Sequence, residues 1–237
     1  MATSKQMATE TETTAVLRIP LSKERVLRAA VKVADEGGID SLTMRNLAEE
    51  LGVEAMSLYY HVANKEAVLD GLVDAILAEI EEALGGFGVQ SDDWKPALRH
   101  RILTARRVML RHPWAPGVFE TRTTMSPILV LYFEGLLGTL REGGCSYDLA
   151  HHAMHALGSR ALGFSQELIA PDDDAGDEAA DAMLEEMAEH LPYMVGMMME
   201  IAHDDADSTL GWCDDETEFG FALDLILDGL ERHLETV

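Results

Sequence analysis

The sequence predicts an all-α protein with two parts, an N-terminal group of three helices and a longer helical domain that follows it. Apolar residues recur at spacings of three and four along most of the chain, which is the period of a helix with one buried face. Capping residues open these stretches, and glycines close most of them. No alternating pattern of useful length indicates a β-strand, and no long repeat or phosphate-binding glycine motif is present.

The composition is that of a globular protein without disulfides or membrane spans. Of the 237 residues, 47% are hydrophobic and 26% are charged, which allows a sizeable core. The two cysteines, Cys145 and Cys213, cannot form a disulfide framework. The longest apolar run, 128–133, is too short for a membrane span, and the first twenty residues lack the apolar core of a secretion signal. We therefore expect the protein to be cytoplasmic.

Charge is spread unevenly along the chain. The net charge is −25, which taken alone argues against nucleic-acid binding. Residues 17–70 nevertheless hold seven basic against nine acidic residues, and residues 1–16 add a charge of −1, so the remaining 167 residues carry −22. Because the acidity belongs to the C-terminal three-quarters, we predict different partners for the two parts of the chain.

The N-terminal part begins with an arm and continues as capped helices. Residues 1–16 show no period and are rich in Thr, Ala and Glu, which is typical of a disordered arm. An N-cap residue or a glycine marks most of the helix boundaries that follow. The predicted helices run from Ser22 to Gly37, from Thr43 to Gly52, from Glu54 to His61, and from Asn64 to the residue before Gly85.

The C-terminal part is predicted to be helical, with breaks at prolines and glycines. Pro113 and Pro116 break the chain after one helix, and Pro192 must kink or split a later one. The expected helices cover 91–111, 127–142, 146–169, 181–201 and 215–233.

The second and third helices meet with the spacing of a helix-turn-helix. Ala48 is small where two short helices must cross closely, Gly52 permits the turn, and Val53 fills the corner. In this motif the N-terminal residues of the second helix enter the major groove of DNA. Here that helix begins near Glu54 and offers small, apolar and hydroxyl side chains, which can contact thymine methyls, base edges and phosphates.

The segment from Leu21 to Leu72 resembles the DNA-binding domain of tetracycline-repressor (TetR) family regulators. The matching stretches are VLRAA, GIDSLTMRNLAEELGV and SLYYHVANKEAVLD, among which the Leu-Tyr-x-His run followed by Asn-Lys is highly specific. The resemblance implies that Arg45 contacts a guanine and that Lys65 holds a phosphate. The full set of implied DNA-contacting residues is Thr43, Arg45, Ala55, Met56, Ser57, Tyr59, Tyr60, His61 and Lys65.

The resemblance extends to the C-terminal part. The last predicted helix, Trp94 and the Thr121-Arg122 pair look like the tetracycline-repressor subclass itself. This implies a helix-turn-helix DNA-binding domain over 17–66 and a ligand-binding and dimerisation domain over 67–237. The whole would be a homodimer that represses transcription at a palindromic operator and is released by a small-molecule effector. The last helix is apolar on more than one face, which favours a dimer on physical grounds alone.

The effector site departs from that of the tetracycline repressor. There a histidine just before the Thr-Arg pair binds the drug's magnesium ion, whereas here Val118 and Phe119 occupy that neighbourhood, and Glu81 and Arg101 replace two other pocket residues. We therefore expect a neutral or cationic, aromatic-sized effector and no metal or other cofactor. The residues expected to line its site are Trp114, Phe119, Arg122, Met125, Leu129, Phe133, Met154 and His155.

The residues alone leave alternatives open. His151 and His155 lie one helical turn apart, with His152 beside them, and would form a metal-responsive regulator if a third ligand joined them. A helical enzyme with a relic helix-turn-helix is another alternative, although no acid–base pair or nucleophile motif supports catalysis. Arg122 could also pair with a nearby acid such as Glu120. We expect a regulator and not an enzyme.

Overall fold

The computed structural model describes residues 20–86, 93–163, 190–193, 195–196 and 215–235. Every regular element in these ranges is a helix, as predicted, and none of these helices is long and apolar enough to span a membrane. The predicted arm, most of the helix expected over 181–201 and the end of the one expected over 146–169 lie outside the described residues. The helices are α1 (Lys23–Ser41), α2 (Met44–Leu51), α3 (Ala55–Leu58), α4 (Lys65–Leu84), α5 (Trp94–Arg111), α6 (Ala115–Thr121), α7 (Pro127–Glu142), α8 (Tyr147–Gly163) and α9 (Asp215–Glu235).

Side-chain caps fix where three N-terminal helices begin. Ser22, Thr43 and Asn64 stand before α1, α2 and α4, and each has the extended backbone of an N-cap. Their side-chain oxygens accept hydrogen bonds from the backbone N–H three residues on, at 3.2, 3.1 and 2.8 Å. Each bond satisfies a donor that a helix start otherwise leaves without a partner. All three predicted caps are confirmed.

Left-handed glycines shape the ends of α1 and α2. Gly38, with φ at 73°, interrupts α1 near its C-terminus, and Gly52, with φ at 65°, ends α2. The Val53 N–H then donates to the Ala48 carbonyl at 3.0 Å, which closes the tight turn toward α3. A side chain is strained at such a φ, so glycine is the residue that permits this turn.

Three elements differ from expectation. Helix α1 continues to Ser41, past its expected end at Gly37, with Gly38 as a kink inside it. Helix α3 covers four residues, Ala55–Leu58, and not the expected 54–61, because the chain turns after Leu58 and returns Val62 to the core. Helix α6 occupies the stretch that the two prolines were expected to break. Pro116 lies in its first turn, where a backbone N–H has no partner inside the helix, so the missing donor costs nothing.

Helix α4 belongs to both parts of the chain. One core cluster packs α1, α2 and α3 against α4 and also takes in Val108 of α5 together with Trp114, Ala115 and Val118 around α6. A second cluster packs α5, α7, α8 and α9 together. The expected domain boundary after residue 66 falls in the first turn of α4, so apolar packing continues across it.

Candidate nucleic-acid interface and apolar cavity

Helices α2 and α3 present one surface away from the core. Leu47, Ala48 and Leu58 are buried beneath them and hold the two helices on α1 and α4. Met56, at 70% exposure, and Tyr60, at 89%, project from the opposite side, although large apolar side chains are usually covered. Two short helices joined by a left-handed glycine, with one side buried and the other bare, form a helix-turn-helix.

The nine residues implied in DNA contact all reach the protein surface. Six are exposed, and Ala55, Ser57 and His61 are half-buried. The exposed six are Thr43, Arg45, Met56, Tyr59, Tyr60 and Lys65. Thr43 also caps α2 with its hydroxyl oxygen, and that cap leaves the hydroxyl proton able to bind a phosphate.

Two cations on this surface have no ionic partner within the described part of the chain. Arg45 lies in the first turn of α2 and Lys65 in the first turn of α4, and neither makes a salt bridge there. Lys32 of α1, by contrast, contacts Glu50 at 2.7 Å and Glu36 at 3.8 Å. The unpaired cations can therefore neutralise phosphates without first breaking a protein ion pair.

An apolar cavity of about 690 Å³, its open mouth included, lies among α4, α5, α6, α7 and α8. Tyr132 brings the one hydroxyl among the described side chains of its wall, and the others are hydrocarbon or thioether. Such a wall has the apolar character of a small-molecule site. Its wall consists of Leu77, Ile80, Ile102, Ala105, Met109, Phe119, Leu129, Tyr132, Phe133, Leu136, Leu140, Met154, Leu157 and Gly158.

A buried ion pair lies next to this wall. Arg101 of α5 donates to Glu81 Oε1 of α4, and the two residues are only 5% and 3% exposed. The Arg101 guanidinium also stacks 4.9 Å from the centre of the Tyr132 ring. Glu81 Oε2 and Arg101 Nε have no hydrogen-bond partner among the described residues.

Burial governs the titration of this cluster. Desolvation raises the pKa of Glu81 above its usual value, and the nearby Arg101 charge offsets only part of that rise. Burial likewise raises the pKa of Tyr132 to about 12, so its hydroxyl keeps its proton at neutral pH. The cavity therefore offers a neutral hydroxyl beside an internally compensated ion pair.

The predicted effector residues divide into two sets. Phe119, Leu129, Phe133 and Met154 line the cavity. The other four lie elsewhere: Met125 and His155 are exposed, the Trp114 indole donates to Asp35 at 2.7 Å, and Arg122 contacts Glu66 at 2.6 Å and Asp70 at 3.5 Å.

Sequence reasoning placed Glu81 and Arg101 at pocket positions but missed their buried ion pair, and it missed Tyr132 as a wall residue. A signal for Glu81 was available, because it falls one turn after Leu77 and one turn before Leu84 on the buried side of α4. A carboxylate on such a face needs a cation nearby. For Tyr132 the sequence carries no comparable signal, because α7 is apolar nearly all round.

The three histidines of α8 are exposed. The rings of His151 and His155 meet edge to face, 4.6 Å between centres, and His152 lies 3.9 Å from Asp148. Within the described ranges, no group of three or more His, Cys, Asp or Glu side chains is placed to hold a metal ion.

Two family descriptions match the chain. Residues 26–72 match "Bacterial regulatory proteins, tetR family", and residues 89–234 match "Tetracyclin repressor-like, C-terminal domain". The chain belongs to the TetR family. It is a ligand-responsive transcriptional repressor built from a helix-turn-helix domain and a C-terminal helical domain.

Similar proteins share both parts of this TetR fold. The chain is 31% identical to the HTH-type transcriptional repressor DrrR1 of Streptomyces coeruleorubidus over 89% of its own length and 77% of that protein. It is 29% identical to the Escherichia coli tetracycline repressor protein class C, over 90% and 91%. Apo ActR from Streptomyces coelicolor superposes with a TM-score of 0.69 at 25% identity, covering 92% and 98%. ActR in complex with actinorhodin gives 0.64 at 25%, covering 89% and 95%.

Proposed function

We propose that this chain binds a palindromic operator as a homodimer in the cytoplasm and is released by a neutral, largely apolar, aromatic-sized molecule in the cavity. The single observation that carries the proposal is that α4 takes part in both sites. Lys65 begins α4 at the exposed helix-turn-helix surface, and Leu77 and Ile80 of the same helix form part of the cavity wall. A shift of α4 on ligand binding therefore moves the DNA-contacting helices.

The DNA side of the proposal rests on charge placement. The protein is strongly acidic overall, and the acidity is concentrated outside residues 17–70. Arg45 of α2 and Lys65 of α4 are exposed and have no ionic partner among the described residues, so phosphates and base edges could meet them. The acidic remainder repels DNA, so binding is confined to this one surface.

The dimer rests on the two faces of α9. Phe219, Leu223 and Leu227 are buried in the protein's own core, whereas Phe221 and Leu225 are 62% and 54% exposed one turn apart on another face. A second copy would cover them. A two-fold dimer also explains a palindromic operator, because its two recognition helices meet half-sites about 34–36 Å apart.

The effector class follows from the cavity wall. The wall offers aromatic and aliphatic surface and one hydroxyl, and the adjacent Glu81–Arg101 pair has no net charge left to attract an ion. A neutral ring system with a single polar group suits this environment best. The solved structure of ActR in complex with actinorhodin supports a small-molecule effector in a fold of this kind.

Gly158 allows the cavity to be filled without disturbing the backbone. It lies in the cavity wall, and a Cβ added there meets no other atom within 4 Å. Gly158→Leu should therefore occupy the cavity, keep operator binding and abolish release. Gly117→Leu, on the exposed side of α6 where an added Cβ is equally free, is the matched control.

The test has two steps. The wild-type protein is first used to select an operator from random duplex DNA. Neutral, cationic and anionic aromatic compounds are then screened by fluorescence anisotropy for their ability to release the operator from the protein. We expect neutral compounds to release the wild type and Gly117→Leu but not Gly158→Leu. Failure to select any duplex would refute operator binding, and equal release of all three proteins would place the effector site elsewhere.

A further inference from the structure

Three side chains from three helices meet where α5 ends. His112, which is 7% exposed, places Nδ1 2.7 Å from Asp35 Oδ1 of α1 and Nε2 3.1 Å from Glu79 Oε2 of α4. The Trp114 indole donates to the same Asp35 oxygen at 2.7 Å, and Arg111 donates to Glu79 Oε1. The imidazole is thus held between two carboxylates that belong to different parts of the fold.

The protonated ring is the form that fits this site. A neutral imidazole has one N–H, so one of its nitrogens would turn a lone pair toward a carboxylate oxygen, whereas the imidazolium donates to both. His112 also caps the C-terminus of α5, where the helix dipole favours a cation. Burial tends to raise the pKa of Glu79, but hydrogen bonds from Arg111 and His112 outweigh it and leave this pKa below its usual value.

The cluster lies between the cavity and the DNA-binding helices. Met109, three residues before His112, and Phe119, five residues after Trp114, are both in the cavity wall. Asp35 belongs to α1, which packs directly on α2. The corner between α5 and α6 therefore touches the effector site on one side and the DNA-binding domain on the other.

We propose that protonated His112 is a clasp that holds α1 against α4 and the α5–α6 corner, so that its charge sets how firmly the DNA-binding helices are held. The charged groups that face the ring are Asp35 from α1, Glu79 from α4 and Arg111 from α5, and from the start of α6 the Trp114 N–H contributes a neutral donor through Asp35. Because only the imidazolium donates from both ring nitrogens, the clasp is strongest when the ring is protonated and weakens when the ring loses that proton.

The first arm of the test needs no DNA. Amide hydrogen exchange of α1, corrected for intrinsic rates, is compared at about pH 6 and about pH 8 for the wild type and His112→Gln. We expect the wild type to exchange roughly tenfold more slowly than the variant at the lower pH, and the difference between them to shrink at the higher pH. A merely structural role for His112 would leave the same difference at both values and would overturn the proposal.

Glu79→Gln is a second variant that tests the same clasp if His112→Gln fails to fold. The partly exposed Glu79 carboxylate accepts one of the two His112 hydrogen bonds. We therefore expect Glu79→Gln to reduce the pH-dependent protection of α1 amides, but by less than His112→Gln does. Glu82→Gln is the matched control, because it makes the same charge change on an exposed part of α4 that forms no described ion pair. Equal changes in α1 exchange for Glu79→Gln and Glu82→Gln would refute the clasp.

The second arm rests on the proposed operator binding. For a duplex selected by the wild type, we expect operator affinity to fall several-fold more between the two pH values for the wild type than for His112→Gln. An equal fall in both proteins would assign the pH response to another group and would reject the regulatory role. Absence of operator binding would instead refute the proposed function and leave the exchange result standing.

Discussion

Glu81 and Arg101 form an ion pair that is almost fully removed from water. Water is the better solvent for each ion alone, so the pair persists because each charge compensates the other. The raised pKa of Glu81 shows that the compensation is incomplete. A change at either residue therefore acts on stability as well as on the neighbouring cavity.

We expect Arg101→Met to destabilise the protein at neutral pH by about 3–5 kcal/mol, because it leaves a buried carboxylate without a partner. The pKa of Glu81 is already raised in the folded state, so the folded state binds a proton more readily than the unfolded state does. The loss should therefore shrink as the pH falls toward the titration of Glu81. Urea unfolding at neutral and mildly acidic pH measures both effects.

Arg107→Met is the control for that substitution, since Arg107 is exposed on the same helix. It should change the free energy of unfolding by less than about 0.5 kcal/mol. Adding Glu81→Gln to Arg101→Met should recover most of the lost stability. Equal losses of unfolding free energy for Arg101→Met and Arg107→Met would show that the buried pair contributes no more to stability than an exposed arginine does.

Arg45 and Lys65 should contribute to DNA binding in different ways. Arg45→Ala is expected to cost about 1–3 kcal/mol on the selected operator and to relax specificity at one base pair, because an arginine contact to guanine is lost. Lys65→Ala should weaken all sequences alike and reduce the salt dependence by about one unit. Anisotropy titrations over a salt series, with operator and random duplexes, separate the two. Equal losses of Arg45→Ala on both duplexes contradict base reading.

At the scale of helices, boundaries were predictable where a local signal fixes them. The caps at Ser22, Thr43 and Asn64 depend on one side chain and its own helix, so sequence reasoning found them. The early end of α3 depends on how deeply Val62 packs, which the local sequence does not encode. Helix α6 was missed because Pro116 signals a break as readily as a first turn.

Helix α9 provides the element-scale prediction. Leu225 is on its outer, exposed face, so Leu225→Asp should leave the monomer fold intact and place a charge in the proposed interface between copies. We expect sedimentation to show a dimer for the wild type and monomers for this variant. Leu110→Asp on α5 is the control, because Leu110 is 55% exposed compared with 54% for Leu225. An unchanged dimer for Leu225→Asp rules out this face.

At the scale of the whole molecule, the sequence predicted the fold class and the exposed surface of the helix-turn-helix better than the cavity. The helix-turn-helix is a local motif, and its exposed residues follow from its own two helices. The cavity wall brings together five helices, and which side chains face it depends on their mutual rotation. Phe133 and Met154 were expected in the wall and lie there. Trp114 was also expected there, but its indole N–H donates to the Asp35 carboxylate instead.

The shared core predicts that the DNA-binding helices do not fold alone. Val108, Trp114 and Val118 complete the cluster that α1 to α4 begin, so a fragment ending at residue 86 would expose apolar surface. We expect that fragment to lack a cooperative thermal transition by circular dichroism, and the full chain to unfold with its N-terminal helices in a single step. A sharp transition in the fragment would show that the first core is self-sufficient.

The wall residues on α8 pack within the second core, away from the helices that meet DNA. We expect substitutions at Met154, Leu157 or Gly158 to change which compounds release the protein while its operator preference stays the same. Evolution, or the design of a biosensor, can therefore change effector specificity and operator specificity separately.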